Sequence, residues 1–110
     1  MLKIRCERLH KTLNYLIRQA ELKLGQLHLR PFEINNLNDT VNLLTAVKHL
    51  VSSIDAHYAD KPLRIGEQSA VGDVVKRFMP FKLDVKKGFL IIDISAIDLI
   101  LTKLENRFGR

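Results

Sequence analysis

The feature that most constrains this chain is an apolar seam at its start. Leu2, Cys6, Leu9, Leu13, Leu16, Ala20 and Leu24 follow alternating steps of four and three, the spacing that holds one face of a long helix against a partner. A helix over residues 3–24 is predicted, and the rest of the chain has to supply the surface that covers its stripe. Gly25 follows at the point where helices commonly end on a left-handed residue.

After Gly25 the apolar period changes to two. Leu27 and Leu29 alternate with Gln26, His28 and Arg30, and Phe32 and Ile34 continue the alternation past Pro31, the pattern of a half-buried edge strand. A tight hairpin over 22–29, turning at Gly25 and Gln26, is the rival reading of the same residues. Asn38 or Asp39 can then cap a second helix with Val41, Leu44, Val47, Leu50, Val51 and Ile54 as its buried stripe, ending near Ala59. Leu63 and Ile65 flank Arg64 as a short strand broken by Gly66. Ala70, Val71, Val74, Val75 and Phe78 recur at helical spacing until Pro80 stops the run.

Residues 81–94 read as a hairpin: Phe81, Leu83 and Val85, a turn at Lys86, Lys87 and Gly88, then Phe89 to Ile92 and Ile94. Ser95 is placed to cap a last helix with Ile97, Leu99, Ile100, Leu101 and Leu104 on its apolar face. The fold class expected is therefore α+β, with three to four helices packed on a small sheet and a β-hairpin in the C-terminal half.

Composition agrees with a chain that folds on its own. Its 110 residues, 46% hydrophobic and 27% charged, match one ordinary domain with one core. Cys6, the only cysteine, leaves no internal disulfide or Cys-rich metal site and favours a reducing compartment. No apolar run approaches the roughly 20 residues that cross a bilayer, and charge follows Met1 too soon for a signal peptide. The expected location is the cytoplasm, as a soluble protein or as the cytoplasmic part of a membrane-anchored parent.

Little in the sequence supports catalysis. His10, His28, His49 and His57 lie apart from one another and from Cys6, and there is no P-loop, paired-glycine dinucleotide motif or serine elbow. The acid pairs Asp93 with Asp98 and Asp55 with Asp60 read as solvated carboxylates and helix caps. The expectation is a protein that is not an enzyme, with no cofactor, metal or small-molecule ligand.

A net charge of +6 admits nucleic acid, an anionic membrane face or an acidic protein as partner. The cations are scattered, as on a solvated surface. Arg64, Lys76, Arg77, Lys86 and Lys87 are the candidate partner-binding residues, chosen for charge and expected exposure. A helix, a short strand, two further helices and a basic-tipped hairpin is also the element order of a winged-helix nucleic-acid-binding module, with Lys76 and Arg77 on the recognition helix and Lys86 and Lys87 on the wing. The length of the second helix, the loose 60–66 segment and the absence of aromatic residues among the basic ones argue against it.

Read as one stretch, Glu7-Arg8-Leu9, Leu13-Asn14, Leu16-Ile17 and Ala20, then Gly25, Leu27 and Leu29, then Pro31-Phe32-Glu33-Ile34 with Leu37 and Val41, resemble sensor histidine kinases. In that family this order marks the exit from the second dimerisation helix into the ATP-binding domain. Ala59, Lys61, Pro62, Leu63, Arg64 and Ile65 resemble the following strand. Ile92, Asp93, Ile97, Ile100, Leu101, Thr102, Leu104 and Asn106 resemble the approach to the asparagine-bearing helix that holds magnesium and nucleotide.

The chain departs from the family there: Lys103 stands where the first asparagine is expected, Asn106 is offset, and no glycine-rich lid follows. No histidine stands in a phosphorylation context. The resemblance thus implies a degenerate or truncated kinase core, with residues 1–24 as the end of a dimerisation helix and 25–110 as a degenerate ATP-binding-like α/β domain, expected neither to bind ATP well nor to phosphorylate itself. Its implied role is docking of a response regulator in a bacterial phosphorelay, assisting phosphotransfer by a neighbouring domain through raised effective concentration.

Overall fold

The N-terminal seam finds its cover in a second long helix. In the computed structural model, which describes residues 2–56, 61–78 and 84–109, α1 (Leu2–Leu24) packs against α2 (Pro31–Asp55). Cys6, Leu9, Leu13 and Ala20 are buried on α1, and Leu44, Ala46, Val47, Leu50, Val51 and Ile54 on α2. Both stripes face the core along the period expected, with Ala46 added and Leu2, Leu16, Leu24 and Val41 only half-buried. Burial, reinforced by the charge of Asp55, pushes the Cys6 thiol up to about 11.

The edge strand expected over 27–34 is absent, and so is the rival hairpin over 22–29, because Leu22 to Leu24 close α1 and α2 begins at Pro31. Proline at the first helical position loses no intrahelical hydrogen bond and arrives with its φ already set. The acidic Glu33 sits in the first turn, where the helix dipole favours it. Arg30 is the N-cap and offers no side-chain bond to the helix. Asn38 and Asp39 are thus interior residues of α2, not caps. Gly25 does not take a positive φ; the left-handed residue of this connection is His28, at φ 74°.

Three strands follow: β1 (Leu63–Gly66), β2 (Asp84–Lys86) and β3 (Phe89–Ile92), antiparallel in the order β1-β3-β2. The register sets Leu63 opposite Ile92, Ile65 opposite Leu90 and Val85 opposite Leu90. Alternation then turns Leu63, Ile65, Leu90 and Ile92 into the core. Between β2 and β3, Lys87 and Gly88 form a two-residue loop with φ of 52° and 78°, the handedness that matches the twist of paired strands. The remaining residues assigned to the hairpin and its approach, Pro80, Phe81 and Leu83, lie outside the described residues, as does Ala59.

Helix α3 (Ala70–Phe78) is capped by Ser69, whose hydroxyl accepts from the Gly72 N–H at 2.9 Å and donates to the Gly66 carbonyl at 2.8 Å. The last helix, α4 (Ile94–Phe108), starts one residue before the expected Ser95 cap. Its N-cap is Asp93, which accepts from the Ala96 N–H at 3.2 Å, while Ser95 donates to the same carboxylate oxygen at 2.8 Å. These bonds, the Ser95 bond foremost, hold the Asp93 carboxyl below its ordinary value.

Ile97, Ile100, Leu101 and Leu104 of α4 complete one core with α1, α2, α3 and the inner sheet face. At the surface between α1 and α4 Arg5 donates to both Glu105 oxygens, to Asp98 and, at 3.1 Å, to the Thr102 hydroxyl. Phe78 and Phe108 close the ends of α3 and α4 edge to face, 5.9 Å between ring centroids. The architecture is α+β with its strands in the C-terminal half. Among the described residues no helix is long and apolar enough to cross a membrane.

Gly72 has no room for a side chain: a Cβ there would strike the Gly66 carbonyl oxygen and lie 2.9 Å from that of Glu67. Despite alanine's better helix propensity, Gly72→Ala is expected to destabilise the fold by about 2 kcal/mol, read as a lower denaturation midpoint at unchanged slope. Cys6 should resist thiol reagents between pH 7 and 9 and titrate fully once denaturant has opened the α1–α2 contact.

Candidate functional site

Among the described residues, the three-stranded sheet has helices on one side and its other side open. Its outer residues are Arg64 and Gly66 on β1, Phe89 and Ile91 on β3, and Asp84 and Lys86 on β2, opposed as Arg64–Ile91–Asp84 and Gly66–Phe89–Lys86. Phe89 is 40% exposed although it lies on the central strand. The Arg64 guanidinium covers part of its ring, 4.8 Å from the centroid, an arrangement that holds the cation in place and masks the aromatic face from water. Ile91 is half-buried beside them.

The hairpin loop carries this surface past the sheet. The Glu67 N–H donates to the Gly88 carbonyl at 3.1 Å, tying the loop to the end of β1, and Lys87 projects from the tip with its backbone fixed in the left-handed region. The result is an aromatic and aliphatic centre bordered by Arg64, Lys86 and Lys87, with Asp84 at the opposite end of the edge strand.

Of the five residues singled out by charge, the fold brings together Arg64, Lys86 and Lys87 only. Lys76 points to Glu67, 3.7 Å away, an ion pair within the α3 corner. Arg77 opens on a different groove of about 410 Å³, lined also by Phe78, Lys103, Asn106 and Arg107. There two helix C-termini meet, and the helix dipoles favour the cations of the two last turns, Arg77 and Arg107.

Sequence reasoning missed Phe89. The run Phe89 to Ile92 is uniformly apolar, so it gave no alternation to tell its inner from its outer residues; its pairing with Gly66 and the basic Lys86 was the only hint. The histidines do not converge: His10 shares a 3.0 Å hydrogen bond with the Ser52 hydroxyl, His28 lies in the α1–α2 connection, His49 on α2, and His57 outside the described residues. Among those residues no group of three or more His, Cys, Asp or Glu stands close enough to hold a metal.

The winged-helix order also loses its basis. The first strand it required, over 27–34, is a connection and the start of α2, and between β1 and β2 the described residues hold the single helix α3. Comparison with family models, with curated proteins and with solved structures gives no match.

Neither Arg64 nor Phe89 contributes to the core, so the surface they form can be altered without unfolding the chain. Arg64→Ala should shift stability by no more than about 0.5 kcal/mol and Phe89→Ser, which gives up strand propensity and cross-strand contact, by about 1 kcal/mol, measured by denaturant titration, whereas Leu90→Ala one residue away should cost about 3 kcal/mol.

Proposed function

We propose that this chain is a non-catalytic protein-interaction module of a bacterial phosphorelay, docking a response regulator to assist phosphotransfer by a neighbouring domain. The observation that supports an interaction module is the open sheet face. Centres of protein interfaces are rich in aromatic residues and arginine, with a polar, solvent-accessible rim, and Phe89, Arg64 and Ile91 within a border of Lys86 and Lys87 follow that anatomy. The choice of partner rests on the resemblance to sensor histidine kinases and on charge. A response regulator presents an acidic phosphorylation site, and complementary charge speeds encounter and fixes orientation.

The cations on this face are suited to such a role because they are not consumed internally. Arg64 stacks on a ring rather than pairing with a carboxylate, and no ion pair engages Lys86 or Lys87 among the described residues. An acidic surface arriving there meets charges already positioned by the sheet and by the fixed loop backbone.

The test compares the wild-type domain with Arg64→Glu/Lys86→Glu as bait in nuclease-treated bacterial lysate, reading retained proteins by mass spectrometry. The expected outcome is enrichment of response regulators by the wild type and their loss with the double variant, with both baits equally folded by circular dichroism. Retention of duplex DNA with steep salt dependence when nuclease is omitted, and no response regulator when it is present, would replace this reading with nucleic-acid binding.

A further inference from the structure

Helix α1 has two faces, and only one of them belongs to the core. On the side away from Cys6, Leu9 and Leu13 runs a second series at steps of four and three: Ile4, Arg8, Lys11, Tyr15, Arg18 and Leu22. All six are exposed, the apolar ones heavily so: Ile4 47%, Tyr15 63% and Leu22 60%. At 3.6 residues per turn the series occupies about 80° of the helix circumference and runs for about 27 Å. Ile4, Tyr15 and Leu22 lie along its middle, with Arg8 on one side and Lys11 and Arg18 on the other. Glu7 and Glu21 fall outside it.

Among the described residues nothing covers this stripe, although Lys11 and Tyr15 edge a groove shared with Phe108. Arg8, Lys11 and Arg18 form no ion pair with any carboxylate among the described residues. Asp98 and Glu105, which reach α1 from α4, are held by Arg5 on another side of the helix. A solvated helix face has no need of isoleucine, tyrosine and leucine in register with one another, and a buried one would not carry three unpaired cations.

We propose that this stripe is a docking surface for an acidic amphipathic helix of a partner protein. Steps of four and three are the spacing at which one helix meets another along a seam, and residues beside such a seam choose the partner through charge. Apolar residues down the middle with cations on both flanks call for a partner whose own seam is apolar and whose flanks are aspartate or glutamate. A second copy of this chain is disfavoured, since stripe against stripe would oppose arginine and lysine to arginine and lysine. An anionic membrane surface is served by a broader apolar face, 100° or more, than three side chains in five turns provide. The surface is small, as in transient complexes, and shares no residue with the open sheet face, so the inference stands apart from the proposed function.

The test uses two synthetic 21-residue helical peptides with leucine at the seam positions, one flanked by glutamate and one by lysine, titrated into the isotopically labelled domain. The glutamate peptide is expected to shift amide resonances of residues 4–22, more strongly at low salt, and the lysine peptide to shift none. Arg8→Glu/Lys11→Glu/Arg18→Glu should weaken the glutamate peptide at least about tenfold, gain affinity for the lysine peptide and keep the melting temperature. Tyr15→Ala/Leu22→Ala should weaken the glutamate peptide while leaving its salt dependence unchanged. The proposal is overturned if the glutamate peptide leaves residues 4–22 unperturbed, if the triple charge reversal binds it equally well, or if phosphatidylserine vesicles or duplex DNA engage the stripe and the peptide does not.

Discussion

Everything in this fold follows from how little a small sheet can do alone. Strands of four, three and four residues bury too little to be stable without helices against one face. Leu63, Ile65, Leu90 and Ile92 therefore turn inward together, and the helices gather on that side around Ile100, Leu101 and Leu104 of α4. Because one set of helices meets one face, the other face is left uncovered by the described residues. Its character is then decided by parity: residues one position away from the core set, Arg64, Phe89 and Ile91, have to face outward whatever their chemistry, and Lys86, paired opposite Phe89, shares their side.

The same parity explains which parts of the structure were legible in the sequence. Helical stripes that end up buried, such as Leu44, Val47, Leu50, Val51 and Ile54, show their period directly because burial selects it. The hairpin was legible from Lys87 and Gly88, where the chain needs positive φ. The connection between the first two helices was misread, since Leu27, Leu29, Phe32 and Ile34 alternate without burying a face: Leu27 is 84% exposed. An apolar alternation signals a strand only if one side is covered, and coverage is a tertiary property. The local signals that did hold there were Pro31 at the first helical position and the lack of any breaker from there to Asp55.

The candidate site was legible only in part, for a related reason. Charge and expected exposure select residues one at a time and say nothing of neighbourhood. Arg64, Lys86 and Lys87 lie far apart in the chain yet meet because β1 and β2 both pair with β3. Lys76 and Arg77 are adjacent in sequence and part company, one held by Glu67 and the other facing the α3–α4 groove. Phe89, the residue that makes the sheet face more than a basic patch, was hidden within an unbroken apolar run whose outward members only pairing could reveal.

The arrangement of the acids sharpens the positive surface more than the number of cations does. Asp98 and Glu105 are turned toward Arg5 between α1 and α4, Glu67 toward Lys76, and Asp93 toward the first turn of α4. Each of these carboxylates stabilises a joint of the fold and is thereby fixed away from both the sheet face and the outer side of α1. A net charge of +6 spread evenly would give a weak field of one sign in every direction. Here the acids that brace these joints are drawn into them, and among the cations without an ion pair Arg64, Lys86 and Lys87 lie on the sheet face and Arg8, Lys11 and Arg18 on the outer side of α1, each set with apolar side chains beside it. That coincidence of unpaired charge with exposed Phe89 on one surface, and with Ile4, Tyr15 and Leu22 on the other, is the support for proposing an interface at each.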